Sequence, residues 1–191
     1  IVYVKNNTSY WRKRVDAFLE NNDTYVKASS GRTFYNFEPE MDRSFNRGYT
    51  DYFVNHRKAK IGSWDTPKSQ GQYIGKVLEL KANGYVIENY EALNNGDGLY
   101  FLNTEGEADG MQVNIIVNDV VVPNTYKSLQ PGTEIYRNSD AEFNKMVEKE
   151  DSAVRKIGIT LTLSEIEKGF QLLAVDELSL IHISEPTRLG M

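Results

Sequence analysis

The feature that most constrains the fold is a series of short apolar runs after Gly71, rich in Val, Ile, Tyr and Leu. Gly, Asn and Asp separate the runs at intervals of roughly ten residues, the spacing of a small barrel or sandwich. A barrel leaves no strand edge exposed. We therefore predict a mainly β fold with some α, built around a small closed β-barrel. The runs are residues 73–80, 85–89, 99–103, 111–117, 120–123 and 134–137.

Two turn signals lie within this β region. Asn118-Asp119 stands between apolar runs and predicts a tight hairpin, although the usual following Gly is absent. Asn95-Gly96-Asp97-Gly98 lacks the repeated ligands and closing Glu of a calcium loop. It also lacks the Lys-Ser/Thr of a phosphate loop. A turn between strands is the better interpretation.

Helical and irregular segments flank the predicted barrel. Apolar residues at helical spacing predict a helix over residues 8–22, capped by Thr8 or Ser9, and a short second helix over 24–28. Aromatic alternation predicts a strand over 32–37, and a loop with one or two helical turns should follow over 45–60.

Beyond the barrel region, Ser139 or Asp140 can cap a helix over 140–148. Alternation over 156–164 and 169–176 then predicts a hairpin that begins a further β unit. The chain has no basic-then-apolar leader and no apolar run near about 18 residues. These features predict a cytoplasmic protein with no membrane partner.

Charge is divided unevenly along the chain. Residues 1–76 carry a net charge of +5 and residues 77–191 a net charge of −10, within a total of −5. A basic N-terminal segment is typical of a protein with a polyanionic partner. The second interpretation is that its basic residues pair with acidic residues on a neighbouring domain. Charge alone favours the second interpretation.

In the basic half, cationic residues interleave with Phe45, Tyr52, Phe53 and Trp64. Cations that meet phosphates and rings that stack on unpaired bases make an RNA-binding surface. The structural alternative, favoured for Arg47 with Gly48, is a core of aromatic rings and a buried arginine. The candidate RNA or substrate contacts are Arg43, Arg47, Tyr49, Arg57, Lys58, Lys60 and Lys68.

The sequence offers little for catalysis. It has no cysteine, which excludes disulfides, thiolate zinc sites and Cys-ligated iron–sulfur clusters in this chain. A Ser–His–acid triad would depend on His56. The other histidine, His182, lies within residues 178–191, which we do not expect to be native. His56 stands in a polar, basic segment typical of a solvated surface. A metal site with Asp51 and Asp65 has no supporting spacing. We expect no catalytic residue, metal or cofactor in this chain.

One run has no general structural explanation: Ser44-Phe45-Asn46-Arg47-Gly48-Tyr49-Thr50-Asp51-Tyr52-Phe53. Together with Asp65-Thr66-Pro67-Lys68 and Ile74-Gly75-Lys76-Val77, it resembles the signature that follows the catalytic barrel of collagenase-like peptidases, the U32 family. Further segments similar to the family occur in the expected order: Lys5-Asn6-Asn7-Thr8-Ser9-Tyr10-Trp11-Arg12-Lys13-Arg14-Val15-Asp16, Ala28-Ser29-Ser30-Gly31-Arg32, Phe37-Glu38-Pro39, Asn95-Gly96-Asp97-Gly98-Leu99 and Gly132-Thr133-Glu134-Ile135-Tyr136-Arg137-Asn138. The resemblance covers residues 1–177.

This resemblance implies a non-catalytic accessory region that partners an upstream TIM-like barrel of the same protein. Some members are described as proteases, hydrolases with collagen as substrate. Others are needed to hydroxylate a pyrimidine in transfer or ribosomal RNA, and those hold an iron–sulfur cluster in the barrel. We expect an RNA-positioning role. A substrate-holding domain of a protease and a purely structural packing domain are the alternatives. The β region is similar to the small barrels of translation factors, a fold-level analogy.

The chain ends in Leu180-Ile181-His182-Ile183-Ser184-Glu185-Pro186-Thr187-Arg188, which resembles a translated sequencing adapter. We therefore expect the native sequence to depart near Glu177. The predicted organisation is a helical connector (1–30), an irregular motif segment (31–70), a small barrel (71–138), a helix with the start of a hairpin (139–177) and an artefactual tail (178–191).

Overall fold

A computed structural model describes residues 1–57, 61–62, 67–89, 91–167, 169–177 and 181–184. Within these ranges the chain forms two α-helices, α1 (Val2–Glu20) and α2 (Ala141–Glu148), and eleven strands. The strands are β1 (Arg32–Tyr35), β2 (Gln72–Lys81), β3 (Gly84–Asn89), β4 (Gly98–Leu102), β5 (Ala108–Val117), β6 (Val120–Pro123), β7 (Glu134–Ser139), β8 (Ala153–Lys156), β9 (Ile159–Ile166), β10 (Gly169–Asp176) and β11 (Ile181–Ser184).

Six of these strands close into a ring in the order β2-β3-β6-β5-β4-β7, with β7 returning to β2. Every neighbouring pair is antiparallel. The predicted small closed barrel is confirmed. Apolar side chains fill its core because strand residues alternate between the two faces. The core residues are Ile74, Val77, Tyr85, Ile87, Leu93, Leu99, Phe101, Met111, Val113, Val121, Leu129 and Ile135.

The hairpin between β5 and β6 turns at Asn118 and Asp119, as predicted. Both residues have positive φ, 49° and 63°, and Val117 pairs with Val120 across the turn. Two left-handed residues match the twist of the flanking strands. Asn and Asp tolerate this conformation better than other residues with a side chain, so the turn forms without glycine.

Helix α1 begins six residues earlier than predicted, and the proposed caps at Thr8 and Ser9 are wrong. Lys5 Nζ donates to the carbonyls of Val147 (3.0 Å) and Lys149 (2.6 Å), at the C-terminal end of α2. Asn6 exchanges two hydrogen bonds with the Glu40 backbone, at 2.6 and 3.0 Å. These tertiary bonds anchor the first turns of α1, and apolar spacing cannot reveal them.

The predicted short helix over residues 24–28 is also wrong. This segment follows a turn in which Thr24 N donates to the side-chain oxygen of Asn22 at 3.1 Å. Such side-chain bonds compete with helical backbone bonds. The helical turns predicted over 45–60 are absent from residues 45–57, and residues 58–60 lie outside the described ranges. The 3₁₀ turn Met41–Arg43 precedes the motif.

Helix α2 forms as predicted, with Asp140 as its N-cap. The Asp140 carboxylate accepts a hydrogen bond from Phe143 N at 2.9 Å. Phe143 and Val147 lie on the buried face and pack with Phe37 in a second hydrophobic cluster. This cluster joins α2 to the chain that leads into the motif.

Strand β1 pairs with β8, and β9, β10 and β11 form a separate antiparallel sheet. The strand predicted over 156–164 is broken at residues 157–158 between β8 and β9. Leu161 and Leu163 share one face of β9 with Leu172 of β10, and this apolar face is exposed. Residues 181–184 pair with β10 at the edge, and their assignment to an artefactual tail stays a prediction.

Candidate nucleic-acid interface

The family-like run forms a loop, residues 44–57, which we call the motif loop. Its buried members are two small polar residues, Ser44 and Asn46. The Asn46 amide donates to the carbonyls of Asp42 (3.1 Å) and Ser44 (3.2 Å), and its oxygen accepts from Gly48 N at 3.2 Å. Gly48 has φ +85°, a conformation that glycine adopts at no steric cost. One buried side chain thus fixes the backbone on both sides of itself.

The same residues attach the loop to the rest of the fold. Gln70 N donates to the Asn46 carbonyl at 2.9 Å, just before β2 begins. Asn46 N in turn donates to Ser69 Oγ at 3.3 Å. On the other side, the Asn7 amide of α1 donates to Ser44 Oγ at 3.2 Å. The start of the motif loop is therefore held between α1 and the barrel.

The residues that alternate with Ser44, Asn46 and Gly48 point to solvent. Phe45, Arg47 and Tyr49 are all exposed, and the Arg47 guanidinium carbon lies 5.2 Å from the centre of the Phe45 ring. Such a cation–π contact orients the arginine without neutralising its charge. The structural interpretation of Arg47 as a buried ion-pair residue is therefore wrong, whereas that of Gly48 is confirmed.

The Tyr49 hydroxyl interacts with the carboxylate of Asp42. Partial burial raises the pKa of the Tyr49 hydroxyl, and the charge of Asp42 and a hydrogen bond to it raise that pKa further. The hydroxyl therefore stays neutral and protonated at physiological pH. Tyr49 as a residue is 59% exposed, so it is accessible to a partner.

Two more aromatic residues follow in an unusual backbone conformation. Tyr52 and Phe53 have φ of 43° and 67°, the left-handed region that bulky residues rarely adopt. Tyr52 is 71% exposed, and the two ring centres lie 5.4 Å apart. Backbone strain of this kind clusters at functional sites and costs about 1–3 kcal/mol per residue. Here it accompanies two exposed rings on the loop that also carries Phe45, Arg47 and Tyr49.

The other predicted contacts take different positions. Arg57 and Lys68 are exposed. The pKa of Asp109 is lowered mainly by a hydrogen bond from the Gly110 backbone, and the charge of Lys68 adds a small part. Lys58 and Lys60 lie outside the described residues, as does Trp64. Of the seven predicted contacts, the structure thus brings Arg47, Tyr49 and Arg57 together on one loop.

Arg43 belongs instead to an ionic network beneath the loop. Its guanidinium donates to Glu91 at 3.0 Å and lies 3.8 Å from the Asp140 carboxylate. It also lies 5.5 Å from the Phe143 ring centre. These contacts join the segment before the motif loop to α2.

Sequence reasoning missed the centre of this network, Arg137 on β7, which is 3% exposed. Its guanidinium contacts three carboxylates: Glu91 at 2.8 Å, Asp140 at 3.4 Å and Asp97 at 3.7 Å. The available signal was its strand register, since Arg137 alternates with the core residue Ile135. A charge at an inward position needs buried partners.

The network also fixes the turn that resembles a calcium loop. Asp97 is fully buried, and its two oxygens accept from Ala141 N and Asn94 N, both at 2.9 Å. Burial acts to raise the pKa of Glu91, but hydrogen bonds from Arg43 and Gln72 and the nearby arginine charges outweigh it and lower that pKa. The carboxylates therefore serve as structural counter-ions.

The described residues contain no group of three or more His, Asp or Glu side chains placed to hold a metal ion. His56 is exposed on the motif loop. A chain without cysteine does not supply the ligands of a Cys-ligated cluster. No helix among the described residues is both long and apolar enough to cross a membrane.

Comparison with known proteins gives one informative similarity. The chain is 33% identical over 171 residues to the 23S rRNA 5-hydroxycytidine C2501 synthase of Escherichia coli (strain K12), a U32-family protein. The chain is partly homologous to this protein. The alignment covers 84% of this chain and 26% of the relative, so the chain spans about a quarter of the length of the curated relative it matches. No protein-family model matches the chain, and no solved structure matches it.

Proposed function

We propose that this chain is a non-catalytic accessory region of a U32-family protein, which positions ribosomal RNA for hydroxylation of a pyrimidine. The observation that carries the proposal is the alternation in the motif loop. Ser44 and Asn46 are buried and fix the backbone, while Phe45, Arg47 and Tyr49 face solvent. A rigid loop that presents a cation between aromatic rings suits contact with phosphates and unpaired bases.

The relative supports the choice of RNA over protein. Its name refers to synthesis of 5-hydroxycytidine at C2501 of 23S rRNA. The protease alternative has no comparable support, because neither the site nor this relative's name points to peptide hydrolysis. The net charge of +5 over residues 1–76 suits local contacts with a polyanion, within a chain whose total charge is −5. We accordingly place the protein in the cytoplasm, with ribosomal RNA as its partner and transfer RNA as the second choice.

The chemistry itself is assigned to another part of the longer protein. We propose an upstream TIM-like barrel that holds an iron–sulfur cluster through its own cysteines. In this chain the motif loop lacks a nucleophile paired with a base, since its histidine is exposed next to Arg57. The role left to the loop is to orient the RNA, and orientation can contribute substantially to rate.

The packing alternative has a specific observation in its favour, and it applies to a different surface. Trp11, Val15 and Phe18 form an apolar stripe on α1 that is about half exposed. Helix stripes of this kind normally face another element. We propose that the connector helix packs on the rest of the longer protein through this stripe, while the motif loop remains available to RNA.

Titration with RNA tests the proposed function. A fluorescein-labelled, single-stranded 23S rRNA fragment around C2501 is added to the 191-residue chain, and anisotropy is recorded at several salt concentrations. A plot of log K against log salt has a negative slope, and its magnitude should decrease by about 0.7 for each phosphate contact that is lost. We expect Arg47→Ala and Arg57→Ala each to weaken binding several-fold and to reduce this slope. Arg32→Ala, which removes an exposed arginine outside the motif loop, should leave both unchanged. Binding that is absent, or equally weakened by all three variants, overturns the proposal.

A further inference from the structure

Three tyrosines lie side by side on the outside of the barrel. Tyr73 on β2 and Tyr100 on β4 are each directly opposite Tyr136 on β7. The ring centres of Tyr73 and Tyr136 are 5.3 Å apart, and those of Tyr100 and Tyr136 are 6.0 Å apart. Their chain neighbours Ile74 and Ile135 fill the core, so strand alternation directs the tyrosines outward.

A pocket of about 240 Å³ opens beside this tyrosine row. It is lined by Gln70, Tyr100, Leu102, Thr133, Glu134 and Tyr136. Its volume is below the roughly 300–1,000 Å³ of sites that take drug-sized ligands. One planar ring system is therefore a better fit than a larger molecule.

The pocket is continuous with the motif loop. Gln70, which lines the pocket, donates its backbone N–H to Asn46 at 2.9 Å. The Gln70 side-chain oxygen is also the nearest atom, at 4.0 Å, to the position of a Cβ on Gly48. A strand of RNA that contacts Arg47 and Tyr49 thus has the pocket within reach of a neighbouring nucleotide.

Polar groups in the pocket select among bases. Desolvation, with the hydrogen bond to Glu134 next in importance, raises the pKa of Tyr136 to about 12. The hydroxyl is therefore protonated, and it donates to Glu134 Oε2 at 3.0 Å. A carboxylate has about four lone-pair sites, so Glu134 can still accept from an exocyclic amine, as acidic residues do with cytosine N4. Gln70 adds an amide that can both donate and accept.

We infer that this pocket binds one unpaired, amino-bearing base of the RNA, cytosine or adenine in preference to uracil, next to the segment held by the motif loop. The inference rests on the proposed function, because it assigns a base subsite to the same RNA. Tyr100 is only 5% exposed and packs edge-on against Tyr136, so contact with the partly exposed Tyr136 ring supplies the affinity. The Glu134 carboxylate supplies the preference for an amino group. Uracil presents a carbonyl oxygen at that position and would leave the carboxylate facing an acceptor.

Occlusion of the pocket is the test. Ten-nucleotide oligocytidylate and oligouridylate are titrated against the 191-residue chain and against Leu102→Trp, which places a large ring in the pocket. Leu80→Trp is the matched control, since Leu80 and Leu102 are similarly exposed, 39% and 42%, but only Leu102 lines the pocket. We expect the wild type to prefer oligocytidylate several-fold. Leu102→Trp should weaken oligocytidylate about tenfold, or about 1.4 kcal/mol, and remove the preference. Leu80→Trp should change neither.

A second variant tests the pocket without introducing a large ring, so the test does not depend on correct folding of Leu102→Trp. Glu134→Ala removes the carboxylate of an exposed pocket residue, and it should reduce the preference for oligocytidylate. If Leu102→Trp and Glu134→Ala both bind like wild type, or if the wild type binds the two oligonucleotides equally well, the base pocket is overturned and the motif-loop proposal stands, provided that Arg47→Ala still weakens binding. If the wild type binds neither oligonucleotide nor the 23S fragment, both proposals fall.

Discussion

Replacement of Arg137 by Met should strongly destabilise the fold. The guanidinium is almost completely buried and contacts Glu91, Asp97 and Asp140 at 2.8–3.7 Å. Met fills much of the same volume but leaves Asp97 buried without its cation, and it leaves Asp140 with only the Arg43 guanidinium at 3.8 Å. Removal of one partner of a buried ion pair costs about 3–5 kcal/mol, a large part of the roughly 5–15 kcal/mol that stabilises a domain.

The expected loss is measurable by urea denaturation and by thermal unfolding, both followed by circular dichroism at pH 7. At about 2–4 °C per kcal/mol for a chain of this size, Tm should fall by roughly 6–20 °C. Arg32→Met is the control, because Arg32 forms only an exposed ion pair with Glu20 at 3.4 Å, and such pairs contribute about 0–1 kcal/mol. A loss below about 1 kcal/mol for Arg137→Met would refute the reasoning that this network holds the barrel to α2.

Three further outcomes follow from the described residues. Gly48→Ala should lower the free energy of unfolding by about 1–2 kcal/mol, measured in urea, because φ of +85° is strained for a residue with a Cβ. Stability should fall as the pH drops below about 4.5, because the pKa values of Glu91 and Asp16 are lowered in the folded state. Carboxylates with lowered pKa values contribute full stabilisation only above their unfolded pKa values. Urea midpoints measured across pH check this, and a midpoint unchanged down to pH 3 contradicts it. Leu163→Thr should change stability by less than about 0.5 kcal/mol, because Leu163 is 67% exposed, whereas Ile135→Ala in the core should cost about 2–5 kcal/mol in the same assay.

The sequence predicted the barrel well because its information is local. Strand runs and their turns depend on alternation and on residues such as Asn118 and Asp119, whose left-handed backbone is encoded within a few positions. The N-cap at Asp140 is equally local. Elements of this kind can be predicted from residues that are close together in the sequence.

Tertiary bonds explain what was missed. The start of α1 depends on Lys5 and Asn6, which bond to residues far along the chain. Arg137 likewise acquires its role from carboxylates contributed by three separate segments. The inward register of Arg137 indicates that it needs buried partners, but no periodicity reveals which residues those partners are.

The candidate site was predicted in part. Its residue types, cations interleaved with rings, were evident, but which members face solvent was not. That division depends on Asn46, whose buried amide turns Arg47 outward, and on Glu91, which together with Asp140 holds Arg43. The structure thus gives Arg47 on the motif loop a surface role and Arg43 just before the loop an internal role.

The central claim, that the motif loop contacts RNA, is tested most directly by ultraviolet cross-linking of the 191-residue chain to the single-stranded 23S rRNA fragment, with the modified residues located by mass spectrometry. Exposed rings stacked on bases are well placed to cross-link. We expect nucleotide adducts within residues 45–57, centred on Phe45, Tyr49, Tyr52 and Phe53, and we expect them to be lost at high salt. Adducts confined to other surfaces, such as the α1 stripe or the exposed face of β9 and β10, would contradict it.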